Sequence, residues 1–243
     1  MASQADWATA RETYQSILST LSFTFMTVLL LIFSTLIAYL LGSIPTSVWY
    51  GEAFFGVDVR RFGSGNAGAT NTFRVLGKRA GTIVMLVDVL KGYTATILAT
   101  LLLYLGVIPE DDLLTWKLVF GLVAVLGHLY PVFASFKGGK GVASLLGMVL
   151  ALHPELALVC IGVWLLVVMA SQYVSLGSML AALAFPVLLL LRIFGEKEPT
   201  LLIVFGFVMF VIVVLTHQKN IARLLRGQES RTVLFRFQKK RTD

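Results

Sequence analysis

Charge is what this sequence has least of. Only 14% of its 243 residues are charged, against about 25% in an average soluble domain, while 57% are hydrophobic. A soluble fold of this length could not hide so much apolar surface, so lipid must be the solvent for part of it. Cysteine is nearly absent. Cys160 stands alone inside an apolar run, which excludes an internal disulfide and reads as a structural thiol. Acids are fewer than bases, 13 against 20, for a net charge of +7. A basic balance can signal nucleic acid, but most of these cations flank apolar runs. That pattern indicates membrane orientation and anionic substrates, so no nucleic acid is expected. No internal repeat is visible. No secretory signal is expected either, because residues 1–22 are polar without a basic start and no small-residue cleavage site follows.

What is present is a series of charge-free runs. Residues 13–51, 92–109, 118–136, 141–154, 156–191 and 199–218 carry no Asp, Glu, Lys or Arg. The second run is expected to begin its helix earlier, near Gly81. The fifth is long enough to cross twice, with a polar break at Ser171, Gln172 and Tyr173. Judged against the roughly 20 residues that span a bilayer, this predicts seven transmembrane helices, of which 141–154 is the shortest. The fold class is therefore an all-α polytopic membrane bundle, its N-terminus outside and its C-terminus cytoplasmic. Residues 1–22 form a polar extension, 23–230 the membrane domain and 231–243 a basic tail suited to orientation and to anionic headgroups.

The basic residues test that count. With seven spans the inner side holds Arg60, Arg61, Arg74, Lys78, Arg79, Lys91, Lys137 and Lys140, and eight more in the tail, together 16 of 20. The outer side keeps Arg11, Lys117, Arg192 and Lys197, alongside Glu110, Asp111, Asp112, Glu155, Glu196 and Glu198. This is a strong positive-inside bias. Without the short fourth helix, Lys137 and Lys140 would lie across the membrane from the tail.

Three polar constellations fall on the inner side. In the first, Gly63, Gly65 and Gly68 let the backbone approach a ligand. Ser64, Asn66, Thr70, Asn71 and Thr72 offer neutral hydrogen-bonding groups, and Arg74 adds a planar fork suited to phosphate. Asp88 and Lys91 follow at helical spacing, either as an ion pair or as a substrate contact. The second runs from Gly127 and His128 to Lys137, Gly138, Gly139, Lys140 and Gly141. A glycine turn before a helix start reads as an anion nest with two lysines beside it. Ala134 and Gly141 break the Walker A pattern, which disfavours nucleotide hydrolysis. His128, with Phe133 five positions on, does not belong to a His-x4-Asp pair. A lone membrane histidine is more often a helix-to-helix hydrogen-bond partner than a catalyst. In the third, His217, Asn220 and Arg223 share a helical face near Gly227 and Glu229; alone, it reads as an amphipathic juxtamembrane helix. Their convergence predicts one cytoplasmic site for a phosphorylated substrate with a lipidic part. A transporter would use similar groups, though it should show repeat symmetry between halves.

These segments resemble the bacterial acyl-phosphate:glycerol-3-phosphate acyltransferases, the PlsY family. The resemblance is carried by Gly42, Ser43, Ile44 and Pro45; by residues 63–74 with Asp88, Lys91 and Gly92; by Gly127, His128 and residues 137–143; and by His217, Asn220, Gly227 and Glu229. Ser144 stands where the family commonly has threonine. The resemblance implies a seven-helix inner-membrane enzyme of phospholipid synthesis. It would move acyl from acyl phosphate to the 1-hydroxyl of glycerol 3-phosphate, without metal or other cofactor. Its partners would be those two substrates and membrane lipid. By position, Ser64, Arg74, His217 and Asn220 are implied for activity, Gly138, Gly139 and Gly141 for glycerol 3-phosphate, and Glu229 for structural integrity. Asn66, Thr70, Asn71, Lys91, His128, Lys137 and Lys140 complete the expected binding set, with Asp88 in a structural role. No Cys and no Ser-His-Asp set is placed for a covalent intermediate. The expected chemistry is therefore direct transfer, with a substrate phosphate oxygen taking the proton.

Overall fold

A computed structural model describes residues 4–195 and 198–232. Glu196, Lys197 and residues 233–243, most of the expected basic tail, lie outside the described residues. Among those described, every regular element is helical. Helix α1 (Gln4–Ser43) is continuous through the boundary expected at residue 22. Then come α2 (Thr46–Phe55), α3 (Ala69–Leu76), α4 (Lys78–Tyr104) and α5 (Leu113–Leu129). Helices α6 (Val142–Leu152), α7 (Pro154–Ser171), α8 (Val174–Leu190), α9 (Thr200–Thr216) and α10 (Gln218–Leu225) complete the chain.

Four helices are long and apolar enough to cross a bilayer, and α9 with α10 makes a fifth if the pair counts as one span bent by 63°. Helices α6 and α8 are apolar but shorter. At about 1.5 Å per residue, 11-residue α6 reaches only about half of a 30 Å hydrocarbon core. Helix α4 begins at Lys78 rather than near Gly81 because Gly77 turns the chain within one residue. Its φ of 87° and ψ of −176° lie in a region open essentially to glycine alone.

Helix α5 is central. On one side Ala38, Ala95, Ala99, Phe120 and Ala124 join α1, α4 and α5. On the other, Leu118, Met148, Leu156, Cys160, Phe185 and Leu202 join α5 to α6, α7, α8 and α9. Lipid offers helices no hydrophobic drive to associate, so close packing must supply the attraction. The crossings are built for it. A Cβ on Gly42 would strike the Ala124 carbonyl, and one on Gly127 the backbone of α1 at Tyr39. Between α4 and α6 the fit is reciprocal: Gly92 abuts the Ser144 carbonyl and Gly147 the Val89 carbonyl. These contacts press the ends of α1, α4, α5 and α6 together where the polar motifs lie.

This packing predicts an asymmetry between glycines. Gly92→Ala is expected to lower the thermal midpoint of the purified protein, since the methyl meets backbone that cannot step aside; overpacking typically costs about 1–3 kcal/mol. Gly162→Ala in α7, where nothing lies within 4 Å of the new Cβ, should leave the midpoint unchanged or raise it, because alanine favours helix. Thermal unfolding of both variants in one detergent makes the comparison.

Candidate active site

The first motif is folded by Asn71. Its Nδ2 donates to the carbonyls of Val59 and Phe62 at 2.8 and 3.1 Å, and its Oδ1 accepts the Ser64 N–H at 2.8 Å. Asn71 is buried, so its amide is spent on shaping the loop that carries Ser64 and Asn66. Arg60 ties the same loop to the second motif. Its guanidinium pairs with Asp58 at 2.8 Å and donates to the Ala134 carbonyl at 3.1 Å.

The second motif is held differently from a free anion nest. The Gly138 and Gly139 N–H groups donate to the carbonyls of Leu129 and His128 at 3.2 and 3.1 Å. They cap the end of α5 and are not available to a ligand. The glycines are needed because a Cβ on Gly138 would meet the His128 carbonyl and one on Gly139 the His128 ring. Gly141, at φ 79°, turns the chain into α6, and Lys140 is left half-buried at the helix entrance.

Beneath this loop lies a polar knot. Asp88 Oδ1 takes the Lys91 ammonium at 2.8 Å and the Thr46 hydroxyl at 3.0 Å. Lys91 also donates to the Ile44 carbonyl at 2.8 Å. The two side chains are 2% and 4% exposed, and at i, i+3 they form a buried ion pair. His128 joins α5 to α6 through its Nδ1 and the Ser144 hydroxyl at 3.3 Å. Asp88 approaches that same nitrogen, at 3.7 Å. A relay needs serine and carboxylate on opposite ring nitrogens, so this cluster is not a Ser-His-Asp triad. With Gly138 and Gly139 it surrounds a space of about 10 Å³, roughly room for one water.

The third motif turns at His217, where α9 meets α10. His217 Nδ1 lies 2.7 Å from the Val213 carbonyl. A carbonyl only accepts, so Nδ1 carries the proton and Nε2 is the basic nitrogen of the neutral ring. Just beyond α10, Glu229 gathers donors from α8 and α10: Ser175 Oγ at 2.8 Å and Asn220 Nδ2 at 2.6 Å on Oε1, and Arg223 Nε at 2.7 Å on Oε2. With its nitrogen on the carboxylate, Asn220 turns Oδ1 to Lys140, whose ammonium donates to it. Burial would raise the Glu229 carboxyl, but the hydrogen bonds from Arg223, Asn220 and Ser175 outweigh it and hold it below its ordinary value. Burial, opposed by the charge of Glu229 and reinforced by Arg223 and Arg74, lowers the Lys140 ammonium to about 8.

The three motifs meet in one cavity of about 310 Å³, lined from the first by Ser64, Gly65 and Asn66, from the second by Gly139 and Lys140, and from the third by Asn220 and Arg223. Among the described residues, three cations, Lys140, Lys219 and Arg223, face it and no carboxylate does. Arg74, Thr70 and Lys137 are exposed outside this lining, while Asp88, Lys91, His128 and Gly138 lie in the knot below. Sequence reasoning missed Thr216, Gln218 and Lys219 as lining residues, and Thr46, Ser144 and Ser175 as partners of the buried groups. Hydroxyl and amide side chains carry no spacing signal, and Lys219 stands out in the sequence only as one more basic residue of the tail, so only the folded contacts select them.

Two outcomes are expected. Affinity for inorganic phosphate should fall as pH rises through about 8, as Lys140 loses its proton at about tenfold per pH unit above that point. Lys140→Arg should remove this inflection, and Lys140→Ala should weaken binding at every pH; calorimetric titration between pH 7 and 9.5 decides it. Glu229→Gln should lower stability at pH 7 by about 1–3 kcal/mol, Arg223 being partly solvated. A depressed carboxyl stabilises above the unfolded value and loses that as pH falls through the folded one. The gap between wild type and variant in thermal midpoint should therefore close in acid.

The family model described as glycerol-3-phosphate acyltransferase matches residues 15–227. A glycerol-3-phosphate acyltransferase of Chlorobium phaeobacteroides (strain BS1) is 42% identical over 219 residues, covering 80% of this chain and 93% of the relative. One from Salinibacter ruber is 43% identical over 210 residues, covering 82% and 91%. The crystal structure of PlsY, an integral membrane glycerol 3-phosphate acyltransferase, in its glycerol 3-phosphate form superposes with a TM-score of 0.72 at 38% identity, covering 84% of this chain and 96% of that one. Its lysophosphatidic acid form gives 0.71. This chain thus belongs to the glycerol-3-phosphate acyltransferase family of integral membrane proteins.

Proposed function

We propose that the protein transfers a fatty acyl group from acyl phosphate to the 1-hydroxyl of glycerol 3-phosphate, releasing lysophosphatidic acid and inorganic phosphate. The observation that carries this reading is the single cavity in which three motifs bring Lys140, Lys219 and Arg223 together with Ser64, Asn66 and Asn220 and, among the described residues, no acid. Two phosphorylated substrates need such a surplus of cations, and Arg74 stands exposed nearby, its charge felt by Lys140.

Acyl phosphate is a mixed anhydride with a good leaving group. The 1-hydroxyl oxygen attacks the acyl carbon, the bond from that carbon to the phosphate oxygen breaks, and phosphate departs. A phosphate oxygen of a substrate takes the hydroxyl proton. The protein's part is orientation and stabilisation of developing negative charge, with Lys140 held at Asn220 for that purpose. A protein base, His217 or His128, is the less favoured proton acceptor. The membrane domain over residues 23–230 crosses the bilayer seven times, with α6 and α8 as the short spans. The outside N-terminus places residues 1–22 externally, and the tail at 231–243 lies on the cytoplasmic side of an inner membrane, as does the cavity. The positive-inside bias supports this orientation.

The test uses purified protein with acyl phosphate and radiolabelled glycerol 3-phosphate and no added metal. Labelled lysophosphatidic acid is expected, with none from acyl-CoA or acyl carrier protein; product from those donors alone overturns the assignment. Replacing both His128 and His217 should leave measurable turnover, and its complete loss in a folded protein would transfer the proton to a histidine. Single cysteines near Ser64, Gly139 and Gly227, with Cys160 removed, should be shielded from an impermeant reagent added outside, and cysteines near Asp111 should react.

A further inference from the structure

We propose that α2 and the two loops beside it form an aromatic foot lying in the headgroup–acyl boundary of the leaflet at the cavity end of the bundle. Its partner is an anionic lipid surface. Helix α2 has 10 residues, about 15 Å of helix, too short to cross. It buries Ser47, Val48 and Gly51 against the bundle and turns its bulkiest residues outward. Six large aromatics stand open over α2 and the neighbouring loops: Trp49, Phe54, Phe55, Phe62, Phe133 and Phe136, each between 47% and 71% exposed.

Rings pair both within α2 and from α2 to the neighbouring loop. The Trp49 and Phe133 rings lie 5.8 Å apart and the Tyr50 and Phe54 rings 4.7 Å apart. Arg60 bonds the loop before Phe62 to the loop of Phe133 through the Ala134 carbonyl. A backbone observation points the same way. Ser135 and Phe136 are consecutive non-glycine residues at φ 53° and 58°, a conformation costly for a bulky side chain. The turn is closed by the Phe136 N–H on the Pro131 carbonyl at 2.9 Å and the Lys137 N–H on the Ala134 carbonyl at 3.1 Å, and it leaves Phe136 outside. In water, such an aromatic face would be a liability. At a bilayer boundary, aromatic rings sit among headgroups and stabilise the placement.

Charge selects the lipid. Exposed Arg61 and Lys137 flank the rings. Of the two acids in these segments, Asp58 is neutralised by Arg60 at 2.8 Å and only Glu52 is exposed without such a pair. The foot is also joined to the buried knot. Its first turn supplies the Thr46 hydroxyl to Asp88, and the preceding Ile44 carbonyl receives Lys91. The seating of α2 in lipid therefore bears on the wall under the cavity.

The experiment reads depth, not turnover, so it can fail independently of the proposed reaction. Trp7, Trp116 and Trp164 are replaced by Phe, leaving Trp49 as the fluorophore. The full chain is reconstituted in phosphatidylglycerol–phosphatidylethanolamine vesicles carrying lipid brominated at shallow or at deep acyl positions. Stronger quenching by the shallow bromine, with little quenching by aqueous acrylamide, is expected. Free access of acrylamide with no quenching by either lipid, or stronger quenching by the deep bromine, overturns the placement. In the Phe54→Ser, Phe55→Ser variant, checked for folding by its thermal midpoint, acrylamide access to Trp49 should rise at least twofold. Unchanged access in a folded variant overturns the role of the aromatics. Replacing phosphatidylglycerol by phosphatidylcholine should weaken the shallow quenching, and no change would remove the anionic preference.

Discussion

The Asp88 carboxylate is the constraint around which the rest is arranged. It lies in α4, in a setting where a lone charge would cost several kcal/mol. The Lys91 ammonium at 2.8 Å removes that cost only if the remaining groups are also satisfied. Thr46 and the Ile44 carbonyl do so from the junction of α1 and α2, while His128 approaches from α5. The pair therefore demands that two separate segments, the α1–α2 junction and α5, converge on α4. The glycine crossings of α1 with α5 and of α4 with α6 allow the backbones to come that close. Packing and polar satisfaction are one requirement here, since neither can be met without the other.

On top of this knot the cavity is built from parts that hold one another. Gly138 and Gly139 spend their N–H groups on the end of α5, which gives up two anion-binding donors but fixes the position of Lys140. Glu229 does the same from the other wall: it takes Arg223, Asn220 and Ser175, and so turns the Asn220 oxygen toward the lysine. The carboxylate stays out of the cavity lining while setting the orientation of the groups that face it. In the proposed transfer between two phosphorylated substrates, rigidity of this kind would supply alignment in place of covalent catalysis.

Much of the site was legible because charge is expensive in a membrane segment. Asp88, Lys91, Lys140 and Arg223 stand out against apolar surroundings, and the bias of basic residues put their motifs on one side. The count of crossings was less legible. Helix α6 is apolar but has only 11 residues, and hydropathy cannot distinguish a short span from a segment that dips in and returns. The glycine loop was read as a nest because glycines before a helix often form one. Whether their N–H groups are free depends on where the end of α5 lies, and local sequence does not contain that.

Composition, charge-free runs and the placement of cations determined that this chain is a helical membrane protein with one polar end, since these properties belong to residues singly and survive in any fold. The tertiary structure alone decided which polar residues share a wall. It separated Ser64, Asn66, Lys140, Asn220 and Arg223, which face the cavity, from Asn71, His128 and Lys91, which hold its floor and sides. The physical reason is that a hydrogen bond is set by distance and direction between segments far apart in the chain. Lys140 and Asn220 are 80 residues apart and in contact, and only the crossing of helices brings them there.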